Sequence, residues 1–210
     1  MMTLPTVCCM GQSAMKNRPI RFCLVASFLL AGGLSASQVS GQTVEAAYAA
    51  ILGNPKVIKT LEDIKADDDR ALAEQKRITE IPAPPYKEKV RAEYYLKRFF
   101  ELGFKDAAID AEGNVIALRK GSGGGPKLVV SAHLDTVFPE GTDVTVKEKD
   151  GVILAPGIGD DSRGLAALLS LIQAMNANDI KTIGDVLFVG TVGEEELGNP
   201  NSWKEWPPGP

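Results

Sequence analysis

"KLVVSAHLDTV" (Lys127–Val137) decides how this chain is read. An apolar run of strand length ends in His133, and Asp135 follows two residues on. That run predicts a buried β-strand. His133 is the one histidine in 210 residues. In extended backbone, residues i and i+2 face the same way, so the Asp135 carboxylate is placed to accept a hydrogen bond from the imidazole. A second apolar run, "DVLFVGTVG" (Asp185–Gly193), predicts another buried strand. Between them "SRGLAALLSLIQAMNAN" (Ser162–Asn178) predicts a strongly apolar helix. Strand, helix, strand indicates an α/β fold with a mixed, partly parallel sheet and flanking helices.

Working outward, "TDVTVKEKDGVIL" alternates and carries Asp150-Gly151, the signature of a hairpin. "AAIDAEGNVIALRK" predicts two short strands around Glu112-Gly113-Asn114. "GSGGGP" (Gly121–Pro126) reads as a flexible loop. Upstream, "TVEAAYAAIL" and residues 54–81 read as one helix each. Within 62–69 the acid cluster "EDIKADDD" reads as a solvated helix face. After "PAPPY", residues 87–104 predict a further helix with Val90, Tyr94, Leu96, Phe99 and Leu102 on its apolar face and Gly103 at its end.

Composition narrows the function classes. The net charge of −4 argues against nucleic acid as the main partner, since phosphate binding needs a basic face. Residues 1–41 hold Lys16, Arg18 and Arg21, an apolar run and then small residues, the order of an export signal. The reading is a cleaved leader, an exported (periplasmic or secreted) protein and no stable membrane span afterwards. Without that leader 20 basic groups face 27 acidic ones, a net of −7, and Cys8, Cys9 and Cys23 are gone. No cysteine then remains for a disulfide or a metal. The expected division is a signal region at 1–41, a catalytic part at 42–199 and an irregular tail at 200–210.

Ligands of open α/β sheets gather at the carboxyl ends of strands. Three clusters fall there: His133 with Asp135, Asp160 with Asp161 in "PGIGDDSRG", and Glu194–Glu196 in "TVGEEELG". The gaps of 27 residues (133 to 160) and 35 (160 to 195) leave room for a hairpin or a crossover to bring them together. Imidazole with several carboxylates suits zinc or a similar divalent ion. Singly, each cluster also has a bland reading: a satisfied polar strand end, a helix cap, an acidic helix start.

Taken in order, "SAHLDTV", "PGIGDDSRGLAALL" and "TVGEEELG" resemble the family-20 zinc metallopeptidases, the group of carboxypeptidase G, aminoacylase and the peptidase T tripeptidases. The resemblance spans roughly Ala46 to Gly198. It implies a zinc exopeptidase catalytic domain of phosphorylase/hydrolase-like fold, hydrolysis of an amide bond in a small peptide or acylated amino acid, and a homodimer for a complete family member. It implies two Zn2+ ions, with Co2+ or Mn2+ as substitutes. Carried over by motif, His133, Asp160 and Glu195 are metal ligands, Asp160 bridging. Asp135, which orients His133, and the general base Glu194 are the catalytic candidates. Reading the triplet back from its glycine instead gives Glu195 as base and Glu196 as ligand.

The family pattern also calls for another carboxylate and a second histidine from later in a sequence, and "PNSWKEWPPGP" forbids a regular helix. The expectation is therefore a truncated domain, poorly soluble, with "DVLFVGTVG" left as an unpaired edge strand. The competing reading is a non-catalytic exported globular protein whose acids bind a hard cation such as Ca2+. Serine hydrolase chemistry lacks its G-x-S-x-G elbow.

Overall fold

The computed structural model describes residues 43–195. The leader, Glu196 and the tail therefore lie outside the described residues. Four helices come first: α1 (Val44–Leu52), α2 (Pro55–Ala66), α3 (Asp68–Thr79) and α4 (Lys89–Glu101). Then follow β1 (Ala108–Ile109), β2 (Val115–Arg119), β3 (Leu128–His133), β4 (Lys147–Lys149), β5 (Val152–Leu154), α5 (Ser162–Ala177) and β6 (Val186–Thr191). Among the described residues no helix is long and apolar enough to cross a membrane.

The main sheet runs in the order β1-β2-β6-β3. β3 and β6 are parallel, from Leu128↔Val186 to His133↔Thr191. β2 is antiparallel to β6, and β1 to β2. The sheet is thus mixed, with flanking helices. β4 and β5 pair separately as the expected hairpin, with Asp150 and Gly151 both at positive φ in its turn.

One face of the sheet carries the core. Registered side chains Ala117, Phe188 and Val130 lie across β2, β6 and β3 there. Tyr95 and Phe99 of α4 and Leu165, Leu169 and Ile172 of α5 join Phe188 in the core cluster. An aromatic chain links helix to strand: Tyr95 to Phe99 at 4.9 Å, Phe99 to Phe104 at 5.8 Å, Phe104 to Phe188 at 5.8 Å between ring centres. These tilted and edge contacts are the favoured aromatic geometry.

Five expectations need correction. β6 is not an edge: β2 pairs with one side of it and β3 with the other. β3 is the edge, and Leu128 and Val129 are 56% and 42% exposed, so "KLVV" is only half buried. Residues 54–81 form two helices, because Asp67 (φ −88°, ψ 8°) leaves helical geometry while its carboxylate pairs with Arg70. Aspartate favours such local polar partners over a helix interior. In α4 the buried residues are Arg91, Ala92, Tyr95 and Phe99, while Val90 is 63% exposed. Tyr94, Leu96 and Leu102 still pack against the core, so the inward face keeps most of the apolar stripe and extends to Arg91, which has backbone partners inside. The glycine loop is also tied down: Ser122 and Gly123 donate N–H bonds to the Thr182 and Ile183 carbonyls.

Candidate metal centre

The parallel pairing of β3 and β6 puts their carboxyl ends side by side, with His133 registered against Thr191. Gly193, at φ +66°, then turns the chain so that Glu194 and Glu195 come back over β3. The loop before α5 supplies Asp160. Its approach depends on Gly157 (φ +71°), where a Cβ would meet Thr136 Cγ2 at 2.8 Å. The three distant clusters therefore share one rim of the sheet.

His133 is the hub. Its Nε2 lies 2.9 Å from Asp160 Oδ1 and 3.9 Å from Glu194 Oε2. Ligand-type atoms of His133, Glu194 and Glu195 all lie within 4.8 Å of one another. Asp160 and Glu194 are largely exposed, while His133 is mostly covered.

On its other side, Nδ1 faces Asp135: the backbone carbonyl at 3.1 Å and carboxylate Oδ1 at 3.5 Å. The main contact is thus to the backbone oxygen, not to the carboxylate expected from the spacing. The carboxylate is fully buried. Its Oδ2 accepts the Glu195 N–H at 2.8 Å, which ties the β6 loop to the β3 end. Its Oδ1 makes no hydrogen bond. Burial pushes the Asp135 carboxyl up, but His133 and the Glu195 and Glu194 amides outweigh that and hold it below its usual range.

Asp161 divides the work with Asp160. Its Oδ1 accepts the Gly164 N–H, capping α5, and its Oδ2 accepts the backbone N–H of His133 at 3.0 Å. Asp161 is the helix cap, and Asp160 lies beside the His133 ring. The Asp160–Asp161 peptide is cis.

Electrostatics follow from this crowding. Burial lowers the His133 pKa, yet Asp135, Asp160 and Asp161 outweigh it and raise the imidazole to about 9. Burial first, then Asp160, raises Glu195. A dense anionic cluster around an imidazole attracts a cation. Bound to one ion at about 2.1 Å, ligand atoms sit about 3.4 Å apart in a tetrahedron. The His133, Glu194 and Glu195 atoms need to close by little more than that difference, and Asp160 Oδ1 is already near Nε2. The donor set fits a divalent metal.

Residues 129–205 match the sequence model of Peptidase family M20/M25/M40, and all the clustered residues fall inside that match. Over these residues the chain is similar to M20-family hydrolases. The chain is similar to a protein named as a LysW-lysine/LysW-ornithine hydrolase from Thermococcus kodakarensis, 32% identical over 120 residues, which is 57% of this chain and 31% of that one. It is also similar to an N-formyl-4-amino-5-aminomethyl-2-methylpyrimidine deformylase of Halalkalibacterium halodurans, 30% identical over 128 residues, 54% of this chain and 30% of that one. Among solved structures it superposes on the aminopeptidase PepT from Bacillus cereus with a TM-score of 0.53 and 26% identity, over 61% of this chain and 37% of that one. The chain thus spans about a third of the length of these relatives. Hydrolysis of amide bonds is the chemistry common to these names.

Two charged residues behind the candidate site were not singled out in the sequence. Glu88 is buried, and its Oε1 accepts the N–H groups of Tyr86 and Gly193. Arg91 is fully buried, and its Nη1 donates to the Leu134 carbonyl at 2.7 Å. The signal was present: two charges three residues apart at the start of a helix whose apolar stripe was incomplete.

Proposed function

We propose that this domain hydrolyses an amide bond in a small peptide or an acylated amino acid, using divalent metal held by His133, Asp160 and Glu195. The observation that carries the reading is the convergence of His133 Nε2 on Asp160 and Glu194 from three separate segments. Zinc suits one imidazole with carboxylates, and Asp160, exposed beside the imidazole, would be one of its ligands. A metal bound there supplies Lewis acidity toward the scissile carbonyl and lowers the pKa of water to about 7.

The chain's own residues supply the rest. With Nδ1–H donating to the Asp135 carbonyl, His133 keeps its Nε2 lone pair facing the cluster. Asp161 fixes the His133 backbone, and Asp135 fixes the Glu195 amide. Glu194, mostly exposed at the rim, is the general base: its carboxylate takes a proton from the attacking water. As the C–N bond breaks, it returns that proton to the leaving amine. A homodimer and export by the basic-apolar leader belong to the same proposal, on the strength of the family pattern and the leader's composition.

Zinc titration by calorimetry, with hydrolysis of dipeptides and N-acyl amino acids, tests this reading. His133→Ala and Asp160→Ala each abolish zinc binding. Glu194→Gln keeps binding and lowers hydrolysis by about 10²–10⁴-fold. A parent chain that takes up no zinc, cobalt or manganese sinks the proposal. Tight binding with no turnover favours the non-catalytic cation-binding reading instead.

A further inference from the structure

Helix α4 supplies no candidate ligand, yet its start grips the backbone of both ligand-bearing strand ends. Glu88 immediately precedes the helix, and its Oε1 accepts the Gly193 N–H at 3.3 Å and the Tyr86 N–H at 2.9 Å. Gly193 is the residue before Glu194. Arg91, in the first turn, donates through Nη1 to the carbonyl of Leu134, the residue between His133 and Asp135. Its Nε and Nη2 donate to the Ile81 carbonyl at 3.0 and 2.6 Å, and Nη2 reaches the Thr79 carbonyl at 3.5 Å.

We infer that Glu88 and Arg91 are positioning residues of the metal centre: one turn of α4 clamps the end of β3 to the end of β6 and so sets the separation of His133 from Glu194 and Glu195. The inference rests on the metal-centre reading above. Its physical content is a lever argument. Rotating the Leu134 peptide swings His133 and Asp135 together, and rotating the Gly193 peptide swings Glu194. Both peptides are bonded to groups three residues apart on a rigid helix, so neither can turn independently. The Asp135 bond to the Glu195 N–H closes the loop on the metal side.

The charges also fit a clamp better than plain core packing. Carbonyl acceptors alone could be met by neutral donors, and a fully buried guanidinium is costly without compensating anions. Here burial lowers Arg91 to about 10, while Asp135 and Glu88 act against that shift. Both carboxylates thus favour the charged form of the guanidinium. Outer groups of this kind typically change metal affinity by about 10–100-fold when removed.

The test uses the full chain and three variants: Glu88→Ala, Glu88→Gln, which keeps an acceptor oxygen, and Arg91→Lys. Zinc affinity is read by calorimetry. In zinc-free protein, the side-chain nitrogen signals of the one histidine and the amide exchange of Gly193 and Glu195 are read by NMR. Denaturant melts establish that each variant is folded. Glu88→Ala is expected to weaken zinc binding at least tenfold, to shift the His133 nitrogen signals and to speed exchange at Glu195 as well as Gly193. Glu88→Gln should recover most of each effect. A folded Glu88→Ala with parent-like zinc affinity and parent-like His133 signals overturns the clamp and leaves the metal reading standing. If the parent binds no zinc, the metal reading fails, and the zinc-free His133 and Glu195 signals decide the clamp: movement supports it, stillness overturns it. If Arg91→Lys does not fold, the Glu88 pair carries the decision.

Discussion

β3 and β6 are parallel neighbours of equal length, and their sequences look alike: short, apolar and leading into the site. Their surroundings differ sharply. β6 is laddered on both sides, and Val186, Phe188 and Val189 are buried. β3 is laddered on one side, and Leu128 and Val129 stay exposed. Yet the better-anchored strand leads into the largely exposed Glu194, and the exposed strand carries the mostly covered His133. The arrangement of the site therefore does not follow strand burial. It follows hydrogen bonds that meet at the strand ends, from the His133 amide to Asp161 and from the Glu195 amide to Asp135.

The comparison breaks most readily at Phe188. This ring is fully buried and takes the last place in the Tyr95-Phe99-Phe104 chain. Phe188→Ala should cost about 3–5 kcal/mol in a denaturant melt. Val129→Ala, at a side chain already 42% exposed, should cost well under half of that. Equal losses at both positions would mean that β3 is as enclosed as β6, and the edge assignment would fall.

That contrast also marks what the sequence could and could not disclose. Alternation and apolar runs place the strands. His133 at the end of β3 and the Glu194–Glu195 pair after the end of β6 fall as expected for an α/β sheet, while Asp160 and Asp161 come from the loop before α5. The order of strands is different information. "KLVV" and "VLFV" carry the same local pattern, and only pairing partners decide which lies inside. The inward face of α4 extends past the apolar stripe for a related reason: Arg91 counts as polar in a pattern, but its donors meet the carbonyls of Thr79, Ile81 and Leu134. Asp160 and Asp161 read as alternatives, cap or ligand, because a string cannot show that adjacent carboxylates point to different tasks.

A second way to sharpen the comparison is pH, because His133 at the end of β3 titrates against Asp135, Asp160 and Asp161. Its metal-free pKa is raised to about 9, above an unfolded value of about 6.5. The associated stability is therefore fully present below about pH 6.5 and is lost as pH rises toward 9. Metal requires the neutral imidazole, so uptake at pH 7 must release a proton. Zinc affinity should rise about tenfold per pH unit between pH 6 and 8, read by calorimetry in buffers of different ionisation heat. A flat profile without proton release would mean that His133 is not a ligand.

The smallest expected effect lies on the exposed edge itself. Val129 offers an apolar side chain on a strand whose outer side pairs with no strand among the described residues. Such an edge is a template for pairing with another chain, and lysine on an edge is a common defence against it. Val129→Lys should change folding stability by no more than about 0.5 kcal/mol, because the position is already solvated. It should nevertheless lower concentration-dependent association in sedimentation or light scattering. The matching change on β6, Val189→Lys, puts an unpaired charge at a buried position and should prevent folding instead. If Val129→Lys leaves association unchanged, the sticky surface lies elsewhere, and the exposure of β3 has no consequence for how these chains meet.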